Sequence, residues 1–207
     1  AVPAPPPDET DRLSVAIARD RVEDSLPGDV SEADLMRRYG VPRAAVLKVL
    51  ARLAEVGLVE RKRGHGWRFL PAAYARDESY AFRLQVEPAA LLSPGFGIAP
   101  AWLQSMRERH LAIMSTPWRD TTAVALFDLN AEFHEGLAAA SGNRYYAMAV
   151  AQQNRLRRFV NVHWTEGAER VQVSCREHLE ILERVAAGER EVAAALMRRH
   201  LQLASAL

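Results

Sequence analysis

Two helix signals separated by a stop and a turn, within residues 31–69, constrain the fold of this chain more than any other feature. Ser31 can cap a helix because an aspartate stands three residues later, and Gly40 ends that helix before a short turn. Pro42 begins a second helix at a position where its missing N–H costs nothing. Apolar residues then recur at helical spacing until Gly57: Val46, Val49, Leu50 and Leu53. This order predicts a helix-turn-helix.

A β-hairpin is predicted directly after the second helix. Leu58–Arg61 is a short β-prone run, Arg63–Gly66 contains two glycines and predicts a turn, and Trp67–Phe69 returns as a second strand. A basic hairpin in this place is typical of the wing of a winged helix-turn-helix, so double-stranded DNA is the first partner to consider. A helix from Asp11 to about Ser25 would complete a three-helix unit.

Positive charge is concentrated in this part of the chain, although the whole chain has a net charge of only +1. Residues 31–70 contain nine Lys and Arg against four Asp and Glu, whereas residues 1–30 contain three against seven. A basic patch of this kind suits DNA phosphates, and Arg43 near the start of the second helix is the best candidate for a base contact. The candidate DNA-binding residues are Ser31, Arg43, Lys48, Arg52, Arg61, Lys62, Arg63 and His65. The alternative is a solvated charged face of a small helical domain.

The length of 207 residues permits two domains, each large enough to bury a core. We expect a disordered tail over 1–10, a DNA-binding domain over 11–70, a linker over 71–76 and a helical domain over 77–207. No apolar stretch reaches the roughly 20 residues that span a bilayer, and no signal-peptide pattern is present. The single cysteine, Cys175, excludes an internal disulfide and a cysteine-rich zinc site. These features predict a cytoplasmic protein with no membrane partner.

Turn signals divide the second domain into helices and leave no strand-rich region. Breaks rich in Gly, Pro, Ser and Asn delimit about six helices. Their predicted ranges are 76–92, 100–115, 119–140, 143–163, 168–187 and 189–205. The predicted fold is therefore mainly α, with a winged helix-turn-helix followed by an all-α six-helix bundle.

Three histidines stand on separate predicted helices beside apolar positions: His134, His178 and His200. Asn130 precedes His134 by four residues and therefore lies on the same helix face. Three imidazoles and one oxygen from a single bundle can hold a divalent metal ion. The alternative is that these histidines are core residues whose polar atoms are satisfied by neighbours.

Three segments carry a resemblance to a known family: SEADLMRRYGVPRAAVLKVLARLAEVGLVERKRGHGW, FHEGLAAASGNRYY and EHLEILERVAAGEREVAAALMRRHL. The first is similar to the winged helix of the GntR superfamily. The other two are similar to the C-terminal FCD domain of its FadR-like branch, and six helices rather than seven resemble the shorter, VanR-like subgroup. The resemblance implies a regulator of transcription that binds DNA and senses a ligand.

The resemblance also implies a metal site in the second domain. Its ligands would be His134, His178, His200 and, in the fourth position, Asn130. Many relatives have Asp in that fourth position, and the neutral amide oxygen of Asn is a weaker donor than a carboxylate. Zinc or nickel would suit three imidazoles.

A small organic acid is the effector that the resemblance implies. Arg155 and Arg158 lie three residues apart on one predicted helix, and their guanidinium groups could bind a carboxylate. The alternative is that both belong to a solvated helix surface. Arg83 and Glu87, four residues apart, are interpreted as a structural bridge or a pair at a domain contact rather than as ligand groups.

Together these inferences predict a ligand-responsive repressor that binds a palindromic operator as a homodimer and is not an enzyme. One alternative is a DNA-binding protein whose helical domain serves only for dimerisation. A more remote alternative is a zinc hydrolase, for which the sequence supplies no general base beside the histidines.

Overall fold

The computed structural model describes residues 9–116, 120–160 and 167–205. The N-terminal elements are α1 (Glu9–Val22), β1 (Asp29–Val30), α2 (Glu32–Tyr39), α3 (Arg43–Glu55), β2 (Val59–Arg61) and β3 (Trp67–Phe69). The C-terminal elements are α4 (Ala72–Leu91), α5 (Pro100–Ser115), α6 (Asp120–Ala139), α7 (Arg144–Val160), α8 (Gly167–Ala186) and α9 (Arg190–Ser205). The described residues form two compact units, one within 1–77 and 155–163 and the other within 78–154 and 164–207. The fold is mainly α, as predicted.

The helix-turn-helix begins as the sequence predicts. The hydroxyl of Ser31 accepts a hydrogen bond from the Asp34 N–H, and the Asp34 carboxylate accepts one from the Ser31 N–H, both at 3.1 Å. Gly40 then adopts the left-handed conformation, with φ of 64°, and its N–H donates to the carbonyl of Met36. Pro42 differs from the prediction because its ψ of 155° makes it the extended N-cap of α3 rather than its first helical residue.

The wing belongs to a three-stranded antiparallel sheet with the order β1-β3-β2. Strands β2 and β3 match the predicted hairpin, and the Lys62 N–H donates to the Gly66 carbonyl across its turn. Strand β1 was not predicted, because two residues are too few for an alternating pattern to show. It pairs Val30 with Trp67 and so joins the wing to the segment that precedes α2. The core of this unit is apolar and includes Leu35, Val46, Val49 and Leu50.

Six helices form the described part of the second half, and each corresponds to a predicted one. The main difference lies at the start of α4, because most of the predicted linker over 71–76 is helical. The carbonyl of Pro71 already accepts a hydrogen bond from the Ala75 N–H, so α4 begins directly after the wing. Residues 1–8 of the predicted tail and 161–163 of one predicted helix lie outside the described residues. Among the described helices, none has the length and apolar character needed to cross a membrane.

The core of the helical unit is built from large apolar side chains on α4, α5, α6, α8 and α9, among them Leu91, Met106, Phe133, Ile181 and Met197. Four histidines and one Arg–Glu pair are among the polar or charged side chains buried in this unit: Arg83, Glu87, His110, His134, His178 and His200. Buried polar groups cost free energy unless they are paired, so the contacts of these six decide what the unit can do.

Candidate metal centre and DNA-binding surface

The three histidines singled out in the sequence meet inside the helical unit. His134 lies on α6, His178 on α8 and His200 on α9, and one ring nitrogen of each lies within 4.8 Å of those of the other two. All three residues are at most 3% exposed. The geometry therefore supplies three converging imidazoles, which is what a site for a divalent cation requires.

Carboxylates bind two of these rings at the Nδ1 atom. Glu87 Oε2 accepts a hydrogen bond from His134 Nδ1 at 2.5 Å, and Glu177 Oε2 accepts one from His200 Nδ1 at 2.7 Å. Because a carboxylate only accepts, each of these rings carries its proton on Nδ1 and has a lone pair on Nε2. A carboxylate behind a metal-binding imidazole is a common arrangement, since it fixes the ring and raises its basicity.

Nε2 is therefore the nitrogen that His134 and His200 have free to bind an ion. His178 Nε2 and His200 Nε2 lie 3.2 Å apart, and His134 Nε2 is buried with no hydrogen-bond partner among the described residues. A buried lone pair without a donor carries a desolvation cost. A cation in this place would offset that cost.

A fourth imidazole, that of His110 on α5, contacts the Nδ1 side of the His178 ring. His110 Nε2 is 3.0 Å from His178 Nδ1, and His110 Nδ1 is 2.7 Å from the carbonyl oxygen of Met106. The ring of Phe133 stacks on that of His178 with centroids 3.9 Å apart. The sequence offers no motif for His110, and its partner stands 68 residues away, so sequence reasoning missed it.

Arg83 and Glu87 form the predicted bridge, but it is buried and leads to the histidines. The two side chains are 1% and 2% exposed, and Arg83 Nε donates to Glu87 Oε1 at 2.5 Å. Burial alone would raise the pKa of Glu87, but Arg83 and His134 lower it well below its usual value. Arg83 Nη2 is buried with no hydrogen-bond partner among the described residues. Arg83 is thus a buried cation that shares its carboxylate with His134.

Burial also favours the neutral form of three of these imidazoles. It lowers the pKa of His134 to about 3 despite the neighbouring Glu87, and it lowers the pKa of His110 and His200 as well. Neutral imidazole is the form that binds a metal ion. The donor set therefore fits a borderline divalent cation at neutral pH.

The remaining predicted site residues of the second half have different surroundings. Asn130 is 5% exposed, one turn before His134 on α6, and its Nδ2 has no hydrogen-bond partner among the described residues. Arg155 is exposed on α7, and the side chain of Arg158 lies outside the described residues. The structure places Arg83 beside the histidine cluster through Glu87, whereas the sequence interpretation had treated it as part of a structural bridge or of a domain contact.

A cavity of about 260 Å³ adjoins the cluster between α8 and α9. Its lining combines His200 and Glu177 with two arginines, a second glutamate and two apolar side chains: Arg176, Arg199, Glu180, Val173 and Leu196. Because Glu177 also binds His200 Nδ1, this cavity reaches the back of one candidate ligand.

The basic residues of the winged helix lie at its surface and several pair with acids. Arg43, the first residue of α3, donates from Nε to Glu32 Oε2 at 2.7 Å, and Lys62 Nζ lies 2.5 Å from Asp29 Oδ2. These hydrogen bonds lower the pKa of both carboxyl groups. Other members of the predicted DNA-binding set are exposed or half-buried: Lys48, Arg52, Arg61, Arg63 and His65. The Ser31 hydroxyl is used in the helix cap.

Residues 78–203 match the family model described as FCD domain. The chain belongs to the FCD domain family. The match covers α4 to α9 almost completely, and thus includes the whole histidine cluster with Arg83, Glu87 and His110. The FCD domain predicted from the sequence motifs is confirmed.

Most of the chain is similar to a protein described as a regulator of transcription. The uncharacterized HTH-type transcriptional regulator YdhC of Bacillus subtilis (strain 168) is 25% identical over 177 residues, which cover 81% of this chain and 75% of YdhC. A similar structure is that of Lar, which controls the expression of the Listeria monocytogenes agr system and mediates virulence. It has a TM-score of 0.72 at 16% identity and covers 98% of this chain and 97% of its own.

A GntR-family transcriptional regulator from Pseudomonas syringae pv. tomato str. DC3000 has the same fold, with a TM-score of 0.51 at 19% identity, covering 97% of this chain and 86% of its own. This chain accordingly combines a winged helix with an FCD domain and is similar over most of its length to a regulator of transcription. Its relatives are regulators and not enzymes, which argues against the zinc hydrolase.

Proposed function

We propose that this FCD regulator is a cytoplasmic repressor that binds a palindromic operator as a homodimer and responds to a small organic acid at a metal centre. The observation that carries the proposal is the joint presence of a basic winged helix and three buried, converging imidazoles. A ligand that binds one state of the helical unit more tightly shifts operator affinity by the same differential free energy.

DNA binding is assigned to the exposed face of α3 and to the wing. Arg43 at the start of α3 would contact a base edge in the major groove, because the first residues of a recognition helix reach furthest into it. Lys62 and Arg61 in the wing would contact phosphates. Glu32 and Asp29 hold these cations in defined positions in the free protein.

A zinc or nickel ion is assigned to the Nε2 atoms of the histidine cluster: His134, His178 and His200. Asn130 Oδ1 is the proposed fourth ligand. The partnerless Nε2 of His134 and the 3.2 Å approach of the Nε2 atoms of His178 and His200 support a cation there, because one ion could accept a lone pair from each of the three imidazoles. A bound ion would supply a positive centre that accepts a carboxylate oxygen.

The effector is proposed to be a small carboxylic acid anchored by the ion and by Arg83. The buried Nη2 of Arg83, which has no partner among the described residues, is a donor of the kind that a carboxylate satisfies. The cavity beside His200 offers a route for solutes. Arg155, exposed on α7, and Arg158 remain predicted candidates for effector contacts, but Arg83 has the stronger structural support.

A homodimer is proposed because the helical unit exposes apolar side chains on one face of α7. Tyr145 and Met148, three residues apart, are 69% and 62% exposed. Apolar side chains of this size at adjacent positions suit a twofold contact with a second copy.

The effector proposal is tested by thermal unfolding of the protein with and without Zn²⁺ or Ni²⁺, in the presence of a panel of small carboxylates. We expect one class of acid to raise Tm only when metal is present, and Arg83→Gln to abolish that shift. If no acid shifts Tm at any metal concentration, the helical unit is a dimerisation module, which is the second candidate function.

The DNA proposal is tested by selecting an operator from random duplexes and measuring affinity by fluorescence anisotropy. Arg43→Ala is expected to lose about 1–3 kcal/mol of preference for the operator over a scrambled duplex. Equal affinity of the unaltered protein for both duplexes would contradict the proposal.

A further inference from the structure

The three candidate ligand rings differ in what holds them on the Nδ1 side. His134 and His200 face carboxylates, which can only accept a hydrogen bond. His178 faces the imidazole of His110, which can donate or accept. The position of the proton on His178 therefore does not follow from its nearest partner alone.

The next contact along α5 favours one of the two tautomers of His178. The carbonyl oxygen of Met106 can only accept, so His110 carries a proton on Nδ1, 2.7 Å away. A neutral imidazole has one such proton, so His110 Nε2 is an acceptor. The shorter, 3.0 Å contact then favours His178 Nδ1 as the donor, which leaves a lone pair on His178 Nε2, whereas the other tautomer would donate from Nε2 to His200 across 3.2 Å. That atom is the one that lies 3.2 Å from His200 Nε2.

We propose that His110 is a positioning residue of the metal centre: with the Met106 carbonyl behind it, its imidazole fixes His178 in the tautomer that presents Nε2 to the ion. This inference rests on the proposed metal function. His110 is not a ligand itself, because both of its ring nitrogens are used in the chain that runs from Met106 to His178.

A chain of two imidazoles has consequences that a carboxylate lacks. His110 carries no charge to attract the ion, so its contribution lies in orientation and tautomer rather than in field strength. It also links α5 to α8, because the donor stands on α8 and the final acceptor on the backbone of α5. Metal binding at His178 therefore strengthens a hydrogen-bonded connection between these two helices.

A role in packing alone would require only a ring or an apolar side chain of similar volume. His110 does pack edge-on against Phe133, with centroids 5.7 Å apart. The two roles separate when the acceptor is removed but the volume is kept. His110→Leu removes the acceptor, whereas His110→Gln keeps one, since a glutamine oxygen reaches about as far as the imidazole Nε2.

The test measures Zn²⁺ affinity of the full chain by competition with a chromogenic chelator. His110→Leu is expected to weaken binding about 10- to 100-fold, and His110→Gln to restore it to within about threefold of the unaltered protein. Met106→Leu is the matched control, because it changes a buried side chain of the same helix and keeps the backbone carbonyl; its affinity should be unchanged. Equal affinity of the Leu and Gln variants would overturn the proposal.

The tautomer is observed directly in the metal-free protein by long-range ¹H–¹⁵N spectra of the histidine rings. We expect the His178 signal to report a proton on Nδ1, and to shift to the other tautomer or to an average in His110→Leu. A proton on Nε2 of His178 in the unaltered protein overturns the inference. Because this measurement needs no metal, it decides the question even if the chain binds neither Zn²⁺ nor Ni²⁺, an outcome that would refute the proposed metal function instead.

Discussion

The winged helix and the helical unit place their charges in opposite environments. In the winged helix, the Arg43 side chain is 66% exposed where it pairs with Glu32, whereas in the helical unit the side chains of Arg83 and Glu87 are at most 2% exposed. Water and salt screen the first pair, which therefore contributes little to folding and leaves the arginine available to DNA. The second pair is shielded from water and salt, so removing one side chain leaves the other charge buried without its partner.

This difference indicates what each region can change without unfolding. The exposed pairs can be exchanged for contacts with phosphates, because breaking them costs little. The buried pair cannot be exchanged in this way, and a ligand that reaches Arg83 must add a contact rather than replace one.

The largest expected effect is on the buried pair. Glu87→Ala leaves Arg83 buried without its carboxylate and removes the acceptor of His134 Nδ1, so we expect the free energy of unfolding to fall by about 3–5 kcal/mol. Urea unfolding at neutral pH measures this loss. Glu32→Ala, which removes the partner of an exposed arginine, is the control and should lose far less stability, because exposed ion pairs contribute little. Similar stability of both variants would contradict the comparison.

The second-largest expected effect is stabilisation by metal, which should depend on the helical unit and not on the winged helix. If the histidine cluster binds Zn²⁺, free metal at 100 times its Kd should raise the free energy of unfolding by about 3 kcal/mol. His178→Ala is expected to lose this gain, and His65→Ala, in the wing, to keep it. Thermal unfolding with Zn²⁺ and with EDTA measures both. Equal stabilisation of the two variants would place the metal outside the cluster.

Acid should weaken the metal-free helical unit before it affects the winged helix. The pKa of His134 is lowered to about 3 in the folded protein, against about 6.5 in an unfolded chain. As pH falls from 6.5 towards 3, only the unfolded state takes up this proton, so stability is lost with falling pH. Between pH 7.5 and 5.0 the expected loss from this residue is about 2 kcal/mol.

The lowered pKa values of His110 and His200 act in the same direction. The carboxyl groups of the winged helix, Asp20, Asp29 and Glu32, also have lowered pKa values, but a lowered carboxyl pKa costs stability only below about pH 4. Urea unfolding in EDTA at the two pH values measures the overall loss, and amide hydrogen exchange locates it. Unchanged stability at pH 5.0 would contradict a neutral buried His134.

The same contrast decides what the sequence could predict. The helix cap of Ser31, the stop at Gly40 and the hairpin turn depend on residues within a few positions of one another, so local patterns predicted them. Turn signals likewise predicted α4 to α9 with small errors at their ends, and the family motifs singled out the three histidines that the structure brings together.

The surroundings of the histidines could not be predicted in this way. The contact between Glu87 and His134 joins residues 47 positions apart, and that between His110 and His178 joins residues 68 apart. Arg83 and Glu87 have the spacing of an ordinary surface pair, and only the packing of neighbouring helices shows that they are buried. The sequence nevertheless contained a signal for the burial of this pair, since Arg83 and Glu87 stand among apolar residues on α4.

The smallest expected effect concerns a single surface charge. Lys62 is held by Asp29, so its contact with a phosphate must first replace an exposed ion pair, and the net gain in DNA affinity is small. Lys62→Ala should weaken binding to all duplexes to a similar degree and reduce the slope of log K against log salt by about one. Arg107→Ala, an exposed arginine of the helical unit, should leave the slope unchanged. If both variants reduced the slope equally, DNA would contact both units. The assignment of DNA binding to the winged helix alone would then be wrong.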